Sequence, residues 1–439
     1  MTVINNIEID DIQYNKNIIK EAITNNDKIE DKLHVIAVIS NPCLFARRYI
    51  LMKEFIQRMT LDEPDVILYV VELAYKKQRF LITDKDNKRH LQIRTEVPLW
   101  HKENMVNMGV KYLLPENWKA MAWIDADLDF ESSTWASDTL KVLNGSKDIV
   151  HLFSHCIDMN QRGEAMQVFT SFGHQYTKGL PYCKNLVNFW HPGYAWACTR
   201  KAYDKMGGLY EDAILGSADN IMALSLIQKG VQFGINSEST DDYKQSVFNY
   251  QEKVKNFRVG YIPGVIRHFF HGSKKNRQYG DRWKILVKYN FSPSEHLTRN
   301  EEGILVPTEQ CPPELLSDIY QYFKERNEDD MYETVDVSLK SNLESFQNIL
   351  SKEKPVSFVI DNTLDEDDDM PELIECVYEK TCDRDAFYYA YYDGWESDNS
   401  EEEEEEEEEE SDDESVEDVE VKKTVWQNIF EAVSKFINP

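Results

Sequence analysis

Features of membrane proteins, secreted proteins and disulfide-bonded domains are scarce in this 439-residue chain. No apolar run approaches the ~20 residues that a transmembrane helix needs. The first residues, MTVINNIEIDDIQYNKN, have neither the basic region nor the apolar core of a secretory signal. The seven cysteines are scattered, odd in number and without a CxxC pair, which predicts reduced thiols and a cytoplasmic location.

Positive charge is also scarce, with 49 lysines and arginines against 79 aspartates and glutamates. The net charge of −30 predicts no nucleic-acid partner for the protein as a whole, because its surface would repel phosphates. Much of this charge lies in residues 396–420, which include the run from Glu401 to Glu410 and no basic side chain. Such a segment cannot bury an apolar core, so it is predicted to be a disordered acidic linker.

The last residues, 421–439, have the pattern of an amphipathic helix. Thr424 to Gln427 form a capping box, and apolar residues follow at helical spacing. These apolar residues are Trp426, Ile429, Phe430, Val433, Phe436 and Ile437. The helix is predicted either to fold back onto the rest of the chain or to dock on a partner. The preceding residues, 331–395, predict no particular role.

From residue 33 onward, apolar strands alternate with helices. Strands are predicted at 33–40, 65–71, 80–82, 90–97, 120–124 and 148–153, and helices at 45–59, 102–113 and 312–326. This alternation predicts an α/β fold with a mainly parallel sheet. Ligands of such sheets bind beyond the carboxyl ends of the strands. Asn41, Glu72 and Asp125 follow predicted strands, which makes them candidate binding residues.

Two carboxylates, Asp125 and Asp127, directly follow the apolar strand that ends at Ile124. A divalent cation on a diphosphate needs hard oxygen ligands close together on a rigid edge. An aspartate pair at i and i+2 can supply them, with Asp127 on the metal and Asp125 on the metal or a ribose. Acidic pairs are more often solvated turns, so the buried strand before the pair is what favours a metal site.

Two histidines, His268 and His271, are the sequence's other metal-ligand candidates. A zinc site would need a further ligand, and none stands nearby in the sequence. One histidine that completes a shell with Asp127 fits better, the other then being bonded to the backbone. The basic residues that follow predict either neutralisation of a diphosphate or a solvated loop. They are Lys274, Arg277 and Arg282.

The loop 191–196 is rich in glycine and aromatic residues. Gly193 permits close backbone approach, and Tyr194 and Trp196 offer flat faces for a sugar ring, although aromatic residues more often pack in a core.

Further along, Asp219 begins an apolar helix after a loop of small residues. It is either an N-cap or the general base that takes a proton from an acceptor hydroxyl. Glu211 and Asp212 are alternatives for the base.

In their order along the chain, these segments resemble the GT-A glycosyltransferases. The resemblance is strongest to GT2-like enzymes and to galactosyltransferases with a C-terminal galactosyltransferase module. The matching stretches lie within residues 33–300; they are 100–109, 122–127, 193–197 with Arg200 and Gly207-Gly208, 216–219, and 268–283. The resemblance implies a Rossmann-like, mainly parallel nucleotide-binding sheet fused to an acceptor-binding region.

This resemblance also implies a chemistry and its residues. The donor would be a UDP-sugar, the acceptor a hydroxyl of a glycan, protein or small molecule, and the cofactor manganese or magnesium. Lys102 would contact the nucleotide and Glu72 the nucleoside base. Asp127 would bind the metal together with His268 or His271.

The likeness is weakest at the catalytic base. Galactosyltransferases carry a Trp-Gly-Trp-Gly-Gly-Glu-Asp type run where this chain has Ile214-Leu-Gly-Ser-Ala-Asp219. The resemblance implies that Asp219 accepts the proton in an inverting transfer, but this departure leaves Glu211 and Asp212 open. Because no membrane anchor precedes the matching region, the chain is more similar to the soluble enzymes of bacteria and large DNA viruses. The host cytoplasm is the expected location for a viral enzyme.

Six segments summarise the predicted organisation. They are a lead-in (1–32), a nucleotide-sugar-binding half (33–145), an acceptor and metal half (146–330), an extension (331–395), the acidic linker (396–420) and the terminal helix (421–439).

Two other functions remain open. A nucleotidyltransferase would want a glycine-rich phosphate loop after the first strand, and residues 40–48 contain no glycine. An inactive scaffold would act through the acidic linker and the terminal helix.

Overall fold

The computed structural model of the chain describes residues 2–4, 7–9, 16–180, 182 and 189–330. The predictions for the extension (331–395), the acidic linker (396–420) and the terminal helix (421–439) lie outside the described residues. Within the described ranges, none of the helices combines the length and apolar character of a membrane span.

Short strands and helices alternate along the described chain. The strands are β1 (Thr2–Ile4), β2 (Ile7–Ile9), β3 (Leu33–Ser40), β4 (Val66–Tyr75), β5 (His90–Thr95), β6 (Ala120–Ile124), β7 (Leu128–Phe130), β8 (Ile149–His151), β9 (His155–Met159), β10 (Ala165–Ser171), β11 (Trp190–His191), β12 (Ala195–Thr199), β13 (Val259–Tyr261), β14 (Val265–His268), β15 (Leu297–Arg299) and β16 (Leu305–Pro307). The helices are α1 (Lys16–Asn25), α2 (Ala46–Leu61), α3 (Lys102–Leu113), α4 (Trp135–Val142), α5 (Phe172–Thr177), α6 (Arg200–Met206), α7 (Ala218–Leu226), α8 (Gly230–Phe233), α9 (Asp241–Val254), α10 (Arg282–Lys288), α11 (Pro293–His296) and α12 (Pro313–Glu325), with a 3₁₀ turn at Lys275–Arg277.

A central sheet of seven strands has the order β13-β8-β12-β6-β3-β4-β5. β6, β3, β4 and β5 run parallel, as do β13 and β8, whereas β12 is antiparallel to both neighbours. The predicted α/β fold with a mainly parallel sheet is therefore confirmed. β3 and β6 occupy their predicted bounds, because strands covered on both faces are continuous apolar runs.

Strand β4 is longer than predicted, and this changes the setting of Glu72. The strand continues to Tyr75 instead of ending at residue 71, because Leu73 and Ala74 are also apolar and pair with β5. Glu72 thus lies inside the sheet and not beyond a strand end. The predicted strand at 80–82 is wrong, since these residues form a loop.

A second sheet of five strands, in the order β11-β10-β9-β14-β7, lies where β6 ends. The turn between Ile124 and Leu128 carries the chain from the central sheet into this second sheet. On β14, His268 pairs in register with Leu128 of β7 on one side and with Asp158 of β9 on the other. The aspartates of the turn therefore lie close to His268.

Helices α3 and α2 pack on the strands of the central sheet, α3 against β3 and β4 and α2 against β4. α3 occupies its predicted bounds and approaches the sheet closely at Gly109, where a Cβ would lie 3.0 Å from Cγ2 of Ile36. α2 begins at Ala46, close to its predicted start. The backbone amides of Ala46 and Arg47 donate to the carboxylate of Asp329 at 2.9 and 2.8 Å.

Candidate functional site

Asp127, His268 and His271 converge at the junction of the two sheets. Oδ2 of Asp127 lies 2.7 Å from Nε2 of His271 and 3.5 Å from Nε2 of His268. One ligand atom from each of the three residues falls within 4.8 Å of the others. The sequence predicted one histidine beside Asp127, and the structure brings both there.

Two polar atoms of this cluster are buried without a hydrogen-bond partner among the described residues. They are Oδ1 of Asp127 and Nε2 of His268. Because an unsatisfied buried polar atom is costly, the pair indicates a place for a cation. One carboxylate and two imidazoles suit manganese better than magnesium, which prefers oxygen ligands. The same set also matches a three-ligand zinc site, so the sequence argument against zinc, the lack of a third ligand nearby, does not hold in the fold.

The electrostatics of the cluster favour positive charge. Burial opposes ionisation of Asp127, but His268 and His271 hold the pKa of its carboxyl well below the usual value. Burial also opposes protonation of His268, yet Asp127 and Asp158 raise the pKa of its imidazole to about 9. A bound cation would satisfy the same negative groups that favour the proton.

Behind His268 lies Asp158, which the sequence analysis missed. Its Oδ1 is 2.6 Å from Nδ1 of His268, and its other oxygen contacts Nζ of Lys274. Lys274, predicted to neutralise a diphosphate, is thus held at Asp158. A carboxylate in the middle of the short apolar strand His155–Met159 was the available signal, because charged residues are rarely buried without a partner.

Arg277 and Glu328 lie beside His271. Nη2 of Arg277 is 2.8 Å from Nε2 of His271, so Arg277 lies next to this cluster, and its contact with a diphosphate stays a prediction. Glu328 is 2 % exposed and pairs with Arg48 and with Nε of Arg326, the latter at 2.7 Å. Sequence reasoning could not find Glu328, because the run Asn327-Glu-Asp-Asp330 has the composition of a solvated loop.

Asp125 lies next to the cluster and forms an ion pair with Lys102. Nζ of Lys102 is 2.5 Å from Oδ1 of Asp125, and the backbone amide of Asp125 donates to the carbonyl of Tyr194 at 2.9 Å. Burial raises the pKa of Asp125, and Lys102 lowers it in part. The neighbouring Glu103, 4 % exposed, was not predicted as a site residue, and burial raises the pKa of its carboxyl to about 8.

Asp219 occupies the first turn of α7, one residue after the N-terminal Ala218. Its Oδ1 accepts from the backbone amide of Asn220 at 2.8 Å, and its Oδ2 lies against Gly193. The alternative bases are engaged elsewhere. Glu211 binds Arg299 and Asn107, both at 2.5 Å, and Asp212 accepts from Ser246 Oγ at 2.5 Å.

The predicted sugar-stacking role of Tyr194 and Trp196 does not fit their surroundings. Trp196 is 3 % exposed, and its ring stacks on His151 with centroids 3.8 Å apart. Tyr194, at φ +82°, is sandwiched between His191 at 4.1 Å and His268 at 4.6 Å. Neither ring offers a free face to a sugar, because the rings stack on neighbouring side chains within the protein.

The remaining predicted residues, Asn41, Glu72 and Arg282, form hydrogen bonds within the protein. Asn41 makes two hydrogen bonds to the backbone of Phe45. The carboxylate of Glu72 accepts four hydrogen bonds from residues 81–83, so its contact with a nucleoside base stays a prediction. Arg282 contacts Ser217 Oγ and lies 3.2 Å from the hydroxyl of Tyr322, which supports the start of α7.

No family model matches the sequence, and no curated protein matches it. Among solved structures, the chain is similar to Drosophila β-1,4-galactosyltransferase 7 with manganese, UDP-Gal and xylobiose, at 12% identity and a TM-score of 0.29 over 56% of this chain and 74% of that one. A second structure of that enzyme's catalytic domain, with xylobiose, has 10% identity and a TM-score of 0.21 over 53% and 65% of the two chains.

A third similar structure is a 4-diphosphocytidyl-2C-methyl-D-erythritol synthase from Anaerococcus prevotii. It has 8% identity and a TM-score of 0.23 over 67% of this chain and 96% of that one. These likenesses are too distant to carry an argument about activity, so the function has to be argued from the site.

Proposed function

We propose that the protein is a metal-dependent GT-A glycosyltransferase that moves a sugar from a nucleotide-sugar donor, a UDP-sugar, to a hydroxyl acceptor with inversion. The observation that carries the proposal is the cluster of Asp127, His268 and His271, with its two unsatisfied buried atoms, at the carboxyl end of β6. The Lys102–Asp125 pair and the Asp219 carboxylate border the same turn.

Each of these groups has a role in such a transfer. Asp127, His268 and His271 would hold manganese or magnesium. A metal bound by these residues would supply charge stabilisation at the diphosphate. Arg277, beside His271, adds a fixed positive charge for the leaving diphosphate.

Two further residues would act on the ribose and the acceptor. Asp125, with its position fixed by Lys102, accepts from the ribose hydroxyls. Asp219 takes the acceptor proton as the nucleophilic oxygen attacks the sugar carbon opposite the leaving group, which inverts that carbon.

Two observations disfavour the alternatives. A nucleotidyltransferase would hold phosphate with the backbone amides at the start of the helix that follows β3. In this chain that helix is α2, and the amides of Ala46 and Arg47 at its start donate to the carboxylate of Asp329 instead. A scaffold without catalysis has no need for a buried ligand cluster with unsatisfied atoms, since each such atom lowers stability.

The test is hydrolysis and transfer of nucleotide-sugars by the full-length chain with manganese, magnesium, zinc or EDTA. We expect metal-dependent turnover of a UDP-sugar and its loss in Asp127→Ala. Asp129→Ala is the matched control, because this partly exposed aspartate pairs with Arg58 at 3.5 Å instead of the histidines. Absence of turnover and of UDP binding with every metal would refute the proposal.

A further inference from the structure

We propose that Asp158 is a positioning residue for the metal site, which fixes His268 in the orientation and tautomer that bind a cation, and that Lys274 serves Asp158 instead of the diphosphate. The inference rests on the proposed metal site and adds two residues to it. Neither Asp158 nor this use of Lys274 follows from the sequence motifs.

The first step is the contact between Asp158 and His268. Asp158 is 1 % exposed and lies on β9, in register with His268 on β14. Its Oδ1 is 2.6 Å from Nδ1 of the imidazole. When Nε2 gives up a proton to bind a cation, the proton that remains on the ring is the one on Nδ1, which donates to Asp158. The lone pair of Nε2 is then available to a cation, and Oδ2 of Asp127 lies 3.5 Å from this nitrogen.

The second step is the plane of the ring. Tyr194 stacks on His268 with centroids 4.6 Å apart and an interplanar angle of 24°. Tyr194 is itself stacked on His191, and His191 on Phe169 at 4.7 Å. The stack fixes the plane of the imidazole, and Asp158 fixes its rotation within that plane. Together they hold His268 ready for the metal.

The third step is the charge of Asp158. A carboxylate this deeply buried needs a positive partner, and Lys274 contacts its second oxygen. Lys274 also lies 3.5 Å from Oε1 of Gln167 and 5.6 Å from the centre of the Phe169 ring. The ammonium group is thus surrounded by side chains of β9 and β10 in the second sheet. Lys274 therefore acts on the metal site through Asp158.

His271 offers an internal contrast. The nearest carboxylate oxygen to its Nδ1 belongs to Glu328 and lies 3.6 Å away, beyond hydrogen-bond distance. Arg277 approaches the same ring at both nitrogens, at 3.3 and 2.8 Å. His268 is thus the preorganised ligand of the two.

The experiment measures Mn²⁺ dissociation constants of the full-length protein without nucleotide, from the electron paramagnetic resonance signal of free Mn²⁺. Asp158→Asn should weaken Mn²⁺ binding by about 10- to 100-fold. The double variant Asp158→Asn with Lys274→Gln replaces the ion pair by neutral amides and should bind as weakly. It serves as the second variant if the single one leaves Lys274 unpaired and does not fold.

Asp148→Asn is the matched control. Asp148 is 5 % exposed and pairs with Arg258 at 2.7 Å, so the variant breaks a buried ion pair of the same kind. It should lower the melting temperature and leave the Mn²⁺ dissociation constant unchanged. Folded Asp158 variants that bind Mn²⁺ within threefold of wild type would overturn the inference. Failure of the wild-type protein to bind Mn²⁺ would instead overturn the metal site of the proposed function.

Discussion

Oδ2 of Asp219 lies 2.5 Å from the point where a Cβ on Gly193 would stand. The carboxylate therefore packs directly on the backbone of this loop. The next residue, Tyr194, accepts a hydrogen bond from the amide of Asp125 at 2.9 Å. Two consecutive residues thus join the first turn of α7 to the turn that carries Asp125 and Asp127.

Gly193→Ala should displace the Asp219 carboxylate, because the new methyl group would occupy its place. We expect kcat/KM for sugar transfer to fall about 100-fold, which is what a displacement of about 1 Å can cost. Mn²⁺ affinity should stay within threefold of wild type. In an Asp219→Asn background the same substitution should cost little more, because both changes act on one group. Full transfer activity in Gly193→Ala would contradict this packing role.

Asp219→Asn should lower the rate of transfer by about 10²- to 10⁴-fold, the usual contribution of a general base. UDP and Mn²⁺ binding should be retained, since the amide keeps the shape of the carboxylate. The controls are Glu211→Gln and Asp212→Asn, which should lower the melting temperature and spare turnover, because both carboxylates bind neighbouring side chains. Transfer kinetics with saturating donor would separate these outcomes. Inactivity of a folded Glu211 or Asp212 variant would move the base to that residue.

The centre of the main sheet was predictable from the sequence because β3 and β6 are continuous apolar runs, whereas β12 and β13 of the same sheet were not predicted as strands. β3 and β6 have their predicted bounds for this reason, and helix α3 also occupies its predicted bounds. The end of β4 was predicted too early, because the charged residue Glu72 is typical of a position beyond a buried strand. In the fold its carboxylate is satisfied by four hydrogen bonds from a neighbouring loop, which lets the strand continue to Tyr75.

The site was only partly predictable. Candidate ligands can be recognised by their spacing within a short segment, whereas the groups that support them come from distant parts of the chain. Asp127 and the histidine pair stood out by spacing. Asp158 and Glu328 are brought to the histidines by strand register and by a segment that returns after α12. The faces of Tyr194 and Trp196 depend on which rings pack against them, which a single sequence does not specify.

Arg277→Gln should weaken donor binding with little effect on the metal alone. The guanidinium lies beside His271, where a diphosphate on the metal would accept its hydrogen bonds. We expect the UDP dissociation constant, measured by calorimetry in saturating Mn²⁺, to rise about 10-fold or more. Arg267→Gln is the control, because Arg267 lies on β14 directly before His268 and pairs with Glu131 instead of the histidines. Equal UDP affinity in both variants would exclude Arg277 from the diphosphate site.

Glu103→Gln should change how stability depends on pH. Burial raises the pKa of Glu103 to about 8, against an unfolded value of about 4.3. Between these values the folded state binds more protons than the unfolded state, so this group makes the free energy of unfolding fall as pH rises from about 4.3 to about 8. The fall is at most about 1.4 kcal/mol per pH unit. Glutamine does not titrate, so the Glu103→Gln variant lacks this contribution to the pH dependence of stability.

Urea unfolding of wild type and Glu103→Gln at pH 5.5, 7.0 and 8.5 would measure this effect. Other titrating groups cancel in the difference between the two proteins, provided that Lys102 keeps its ion pair with Asp125. The variant should gain stability relative to wild type at each step of rising pH, and the gain should level off above about pH 8. A difference that is constant across the three pH values would mean that Glu103 is already ionised in the folded protein, held so by Lys102.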